Sequence, residues 1–183
     1  MGDVVYFRSY KESNGMIFKH IDAVKVSAYF SKERIPRYRY RLEIVSKLMS
    51  GKTVCAVMQN PSYAGEKVAD KSVQFLEKVV FQRGLPEFRG VRRLIVVNQF
   101  AFIETNNFEG RPDQIGTRNN SAIKLALKEA DIIILGWGSG NRCKDRQDFV
   151  INLLKKLKGK QLFKTKMHPS RGRYAGFIQP FEG

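Results

Sequence analysis

The sequence predicts a three-layer α/β/α sandwich around a central four-stranded parallel sheet, with an N-terminal strand and helix extension. Three observations carry this. Four short apolar runs recur, at residues 53–59 (TVCAVMQ), 93–100 (RLIVVNQF), 131–138 (DIIILGWG) and 161–167 (QLFKTKM). Three of them are nearly continuous in apolar character, as strands buried on both faces of a parallel sheet are. Helical patterns lie between the runs, and strand–helix alternation argues right-handed crossovers with helices on both faces. With 183 residues, 43% of them hydrophobic, the chain is long enough for one domain with a sizeable core. Residues 1–50 read as an appended segment and residues 51–183 as the α/β core.

The N-terminal stretches VVYF, MIFKHI and AVKVSAYF are short and strand-like. The segment RYRYRLEIVSKLMSGK starts with alternating Arg and Tyr and then reads as an amphipathic helix. In DKSVQFLEKVVFQRG, Val73, Leu76 and Val80 share a face, Asp70 is the expected N-cap and Gly84 the stop. NNSAIKLALKEAD carries Ile123, Leu125, Ala126, Leu127 and Ala130 behind the capping candidates Asn119 and Asn120. RQDFVINLLKKLKG carries Phe149, Val150, Leu153, Leu154 and Leu157 and closes at Gly159. The run QLFKTKM alternates, as a strand nearer an edge does.

Charge is the strongest compositional signal. Lys and Arg total 33 against 17 acidic residues, a formal net charge of +16. Such a surface attracts polyanions, so nucleic acid is the expected partner, DNA ahead of RNA. No run approaches the roughly 20 apolar residues of a membrane span. The N-terminus lacks a basic-then-apolar export pattern. Cys55 and Cys143 stand outside any metal spacing, which fits a reducing cytoplasm. His20 and His168 are the only histidines, so neither a metal site nor a cofactor is expected.

Ligands of open α/β sheets bind at the carboxyl ends of the strands. Those ends are Asn60-Pro61-Ser62, Asn98-Gln99-Phe100, Gly136-Trp137-Gly138 and His168-Pro169-Ser170. Asn side chains both donate and accept, which suits the edge of an amide-like ring. A neutral His can donate to an oxygen that gains charge, and Phe100 or Trp137 can stack on a base. The set points to a nucleobase or nucleotide. Each residue also has a plainer reading. Asn60-Pro61 and His168-Pro169 can be turns, Trp137 core packing, and Asp70 a helix cap rather than a base. Asn98 inside an apolar strand needs a ligand or a network, since a buried unpaired amide costs roughly 1–3 kcal/mol. Arg37, Arg39 and Arg41, interleaved with Tyr38 and Tyr40, either track phosphates or form a solvated strand face. The stretch KKLKGK reads as a solvated helix end.

MQNPSYAG, VVNQF, LGWGSGN and HPSRGRYAGF follow one another at strand ends. In order and position they resemble the motifs of the uracil-DNA glycosylase superfamily. Over residues 39–177 the chain is more closely similar to an uncharacterised bacterial and phage family, domain of unknown function 1643. The glycosylase resemblance implies that Asn60 positions the attacking water and that His168 stabilises charge on the pyrimidine oxygen. It implies that Asn98 reads the base, with Tyr63, Phe100 and Trp137 around it. Ser170 and the loop 171–176 match the region that pinches the DNA backbone, with Lys166, Arg171, Arg173, Arg39 and Arg41 as the expected nucleic-acid contacts. Arg171, Arg173 or Tyr174 stands in for the usual intercalating leucine. Ser62 replaces the tyrosine that excludes substituents at carbon five, leaving room for a modified pyrimidine. The expected activity is metal-independent hydrolysis of an N-glycosidic bond, after the base has left the stack. The alternatives are a non-catalytic nucleic-acid-binding module on the same fold and an enzyme acting on free nucleotides.

Overall fold

The structure is a computed structural model and describes residues 18–182 apart from 34, 36 and 139–142. The VVYF stretch, the first two residues of MIFKHI and the last three of LGWGSGN lie outside the described residues.

One seven-stranded mixed sheet organises the molecule. Its strands are β1 (Val24–Phe30), β2 (Arg39–Ser46), β3 (Lys52–Met58), β4 (Val91–Asn98), β5 (Ile132–Leu135), β6 (Gln161–Thr165) and β7 (Ile178–Pro180). They lie in the order β1-β2-β4-β3-β5-β6-β7. The four apolar runs are β3, β4, β5 and β6, adjacent and mutually parallel. The expected four-stranded parallel sheet is corrected on both sides. β2 and β1 add antiparallel next to β4, and β7 adds antiparallel next to β6.

The largest correction is β2. The segment expected to be helical is a strand within the sheet, not an appendage. Its period-2 pattern decides this. Leu42 and Ile44 pair with Val96 and Leu94 of β4 and are fully buried. The intervening Arg41 and Glu43 face the other side, where they form ion pairs. A helix would have scattered Leu42 and Ile44 around its axis instead of seating both against one core.

The core divides by strand alternation. Val54, Ala56 and Met58 of β3 join Leu94 and Val96 of β4, under α1 (Lys71–Glu77) and its π-helical continuation Lys78–Gln82. Cys55, Val57, Ile95 and Val97 face the opposite layer, formed by α2 (Asn119–Glu129) and α3 (Lys144–Leu154). Three layers with both sheet faces covered explain the unbroken apolar runs.

Asp70 caps α1, accepting the Val73 N–H at 2.8 Å, and Gly84 leaves the π segment at φ +64. Asn119 does not cap α2. It is the first helical residue and is buried, and its side chain turns to the end of β4. Leu125, one of the apolar residues of the α2 pattern, is 58% exposed. α3 ends at Leu154, a turn ahead of Gly159. β6 is paired on both sides and sits one strand in from the edge. Among the described residues no helix is long and apolar enough to cross a membrane.

Candidate functional site

The carboxyl ends of the four parallel strands open into one cleft of about 890 Å³. β3 delivers Asn60, β4 Gln99, β5 Trp137 and β6 His168 to its lining. Ser62, Tyr63, Ser170 and Arg171 line it as well. Asn98 and Phe100 do not. Phe100 lies behind the wall, edge-on to Phe108 at 5.1 Å, and Phe108 is the aromatic that reaches the cleft. Trp137 has two roles, lining the cleft and packing against the α2–α3 core.

His168 follows β6, where the chain enters a 3₁₀ turn at Pro169–Arg171. Its Nδ1 accepts the Ser170 N–H at 3.3 Å, with Ser170 Oγ at 2.9 Å. A backbone N–H can only donate, so Nδ1 carries no proton and the neutral ring holds its proton on Nε2. Burial pushes the His168 pKa below its ordinary value, opposed by the charge of Asp70. The result is a neutral imidazole with a fixed Nε2–H donor. Gly138 makes room for this turn. A Cβ there would stand 2.7 Å from the His168 backbone nitrogen, and its φ is +80.

Asn60 is held by a neighbouring loop. Its Nδ2 donates to Glu104 O at 2.7 Å and Pro61 O at 3.2 Å, which leaves Oδ1 as the acceptor for a water or ligand. The loop is fixed in turn by the Glu104 carboxylate, which accepts the backbone N–H groups of Thr105, Asn106 and Asn107. These bonds hold the Glu104 pKa below the usual carboxylate value. The Ser62 hydroxyl lies 2.8 Å from Thr105 Oγ1, so it too ties the cleft wall to this loop.

The basic residues divide sharply. Arg39, expected on a phosphate-tracking face, is 1% exposed. It donates to Ala64 O at 2.7 Å and Asn98 Oδ1 at 3.3 Å and lines the cleft from within. Burial lowers its pKa to about 10, against the field of Asp70. Arg41 is no open phosphate contact either. It grips Glu129 at 2.9 and 2.8 Å and Glu43 at 3.0 Å. Arg171 is exposed at the rim, while Lys166 and Arg173 are exposed outside the lining. Tyr174 is stacked on Phe75 at 5.1 Å, with the Arg83 guanidinium 3.4 Å from its ring centre.

Asn98, expected to read the ligand, instead accepts from Arg39 at Oδ1, and its buried Nδ2 has no partner among the described residues. The neighbouring Gln99, and not Asn98, lines the cleft. It is fully buried, and among the described residues neither Nε2 nor Oε1 has a hydrogen-bond partner. Its main chain is the reverse. The carbonyl accepts from Asn119 Nδ2 at 2.9 Å and from Arg146 Nε and Nη2 at 2.9 and 2.7 Å, and the N–H donates to Met58 O at 2.8 Å. The sequence holds the signal for Gln99: β4 ends on two adjacent amides, and strand alternation sends them to opposite sides. Among the described residues no group of three or more His, Cys, Asp or Glu could hold a metal ion.

The cleft therefore combines a fixed imidazole donor, a held Asn acceptor, an unsatisfied amide and aromatic walls. No curated protein and no solved structure matches the chain. One protein-family model matches residues 39–171, and the chain belongs to that family, described as protein of unknown function DUF1643.

Proposed function

We propose that the protein is a nucleic-acid-binding N-glycosyl hydrolase of uracil-DNA-glycosylase-like architecture, which releases a pyrimidine base, modified ones included, from DNA. The observation that carries this reading is the meeting of Asn60 and His168 in one aromatic-walled cleft, with His168 held neutral and donating from Nε2. As the C–N bond breaks, its electron pair leaves with the base and charge develops on the ring oxygen. A preorganised neutral donor stabilises that charge without a reorganisation cost. Asn60 Oδ1 accepts from the water that adds to the sugar carbon. The water's hydroxyl stays on the sugar and its second proton ends on the released base, so the reaction needs no metal. Trp137 and Phe108 offer faces for a base that has left the stack.

The test is a base-release assay on oligonucleotides carrying uracil, thymine mismatches and 5-substituted pyrimidines. Release abolished by His168→Ala supports the reading. DNA binding without release from any substrate would leave only a binding module.

A second reading, an enzyme acting on free nucleotides, is favoured by the burial of Arg39 and the pairing of Arg41. Both are withdrawn from any open backbone track. Salt separates the two readings, since affinity for a polynucleotide falls steeply as salt rises and affinity for a small nucleotide does not.

A further inference from the structure

We infer that Gln99 selects the ligand of this cleft, and that the ligand presents a planar lactam edge, a ring N–H beside a carbonyl. That the ligand is a base rests on the hydrolase reading above; the role of Gln99 stands on its own geometry.

The side chain of Gln99 is fully buried, lines the cleft, and among the described residues leaves both its donor and its acceptor unpaired. Buried polar groups in folded proteins are nearly always paired, and a group that is not calls for a cause. Poor local construction is not the cause. Asn119 and Arg146 are both buried, and together they direct three N–H donors at the Gln99 carbonyl. The backbone of this residue is thus over-determined while its amide is left bare. Asn98 cannot take the same role, because its oxygen is engaged by Arg39 and it does not reach the lining.

A carboxamide offers one N–H and one C=O side by side in a plane. Its bidentate complement is an edge with one acceptor atom beside one N–H donor. Lactam rings supply this, and so do amidine edges such as those of adenine and cytosine. The rest of the cleft chooses between them. The Nε2–H of His168 and the cations Arg39, Lys71 and Arg171 are donors, so the ligand that fits carries further acceptor oxygens. Uracil and thymine carry two carbonyl oxygens, cytosine and hypoxanthine one and adenine none, so a 2,4-dioxo ring presenting its lactam edge suits this donor-rich lining best. A site built to hydrogen-bond such an edge rejects an analogue lacking it, because the buried amide is then left unpaired again.

The experiment has two arms on the full chain. The first is thermal stability of Gln99→Met, which removes both unpaired atoms at nearly constant volume. The melting temperature is expected to rise by about 3–6 °C; a fall would show the amide is satisfied in the free protein and overturn the inference. The second is calorimetric titration with uracil, thymine and cytosine, each methylated at N1 as at a glycosidic bond, with hypoxanthine and adenine, and with 1,3-dimethyluracil and 1-methylhypoxanthine, whose lactam N–H is blocked. Wild type is expected to bind lactam bases at least about tenfold more tightly than the blocked analogues, and Gln99→Met to lose that preference. Uracil against hypoxanthine separates the pyrimidine source from the purine source. Preference for adenine or cytosine, unchanged discrimination in Gln99→Met, or no binding of any base at millimolar concentration would overturn it. Selective binding without base release overturns the hydrolase reading alone.

Discussion

Arg41 and Arg39 leave the same strand two residues apart. Arg41 ends in a closed network with Glu43, Arg93 and Glu129, where each guanidinium meets carboxylates within 3.3 Å. Arg39 ends beneath the cleft with two carbonyl acceptors, no carboxylate within ion-pair distance among the described residues, and an unpaired Nε. Around it stand the other orphans, Asn98 Nδ2, both ends of Gln99 and Asn119 Oδ1. The first region is finished by the protein itself and acts as structure. In the second, polar groups are positioned and left incomplete, as in a site that expects a ligand.

Breaking the cleft should have the largest effect, and it should fall on chemistry. His168→Ala is expected to lower base release about 10²–10³-fold, as loss of one charge-stabilising donor does, with DNA affinity retained. Single-turnover release and filter binding on one preparation check both halves. Asn60→Ala should act in the same direction, because its acceptor serves only the chemical step.

Next comes the stability contrast between the two arginines. Arg39→Met should destabilise the fold by about 2–4 kcal/mol, since it strips the partner from buried Asn98 Oδ1 and Ala64 O. Glu129→Gln in the network should cost only about 0.5–1 kcal/mol, because Glu129 is partly solvated and its pairs are screened. Urea titrations at low and high salt sharpen the comparison: the Glu129 effect should shrink with salt and the Arg39 effect should not. Equal costs would erase the distinction drawn between the regions.

The smallest effect is in pH. His20 bridges Glu77 and the Gly65 carbonyl, which two N–H donors satisfy at once. Burial opposes its protonation, but the hydrogen bond and charge of Glu77 prevail and raise its pKa above 6.5. Its stabilisation is therefore full below 6.5 and is lost as pH rises through the folded value. His168 has the opposite sign. Its lowered pKa makes folded protein lose stability as pH falls below 6.5 toward the folded value, and the Nδ1 acceptor for the Ser170 N–H is lost only as pH falls through that folded value. His20→Gln should flatten the decline in melting temperature as pH rises above 6.5 and leave the acid side unchanged.

Much of this architecture could be read in the chain. β3, β4 and β5 were legible because both faces of each are buried, which writes an unbroken apolar run. The Asp70 cap was legible because capping is local chemistry. β2 was not, since Arg-Tyr alternation followed by LEIV fits an amphipathic helix as well as a strand until β4 supplies a partner. Nor was the exchange of Asn98 for Gln99, which depends on which way the pleat turns at the last residue of β4. Burial of Arg39 contradicts the usual place of arginine and becomes visible only once Ala64 and Asn98 close around it.

The decisive measurement is single-turnover base release from oligonucleotides bearing uracil and 5-substituted pyrimidines, run in parallel with wild type and His168→Ala. The account predicts release of a free base by wild type without added metal, and loss of about 10²–10³-fold in rate in the variant at unchanged DNA binding. Wild type that binds these oligonucleotides yet leaves every glycosidic bond intact, or a variant that releases base at the wild-type rate, would contradict it.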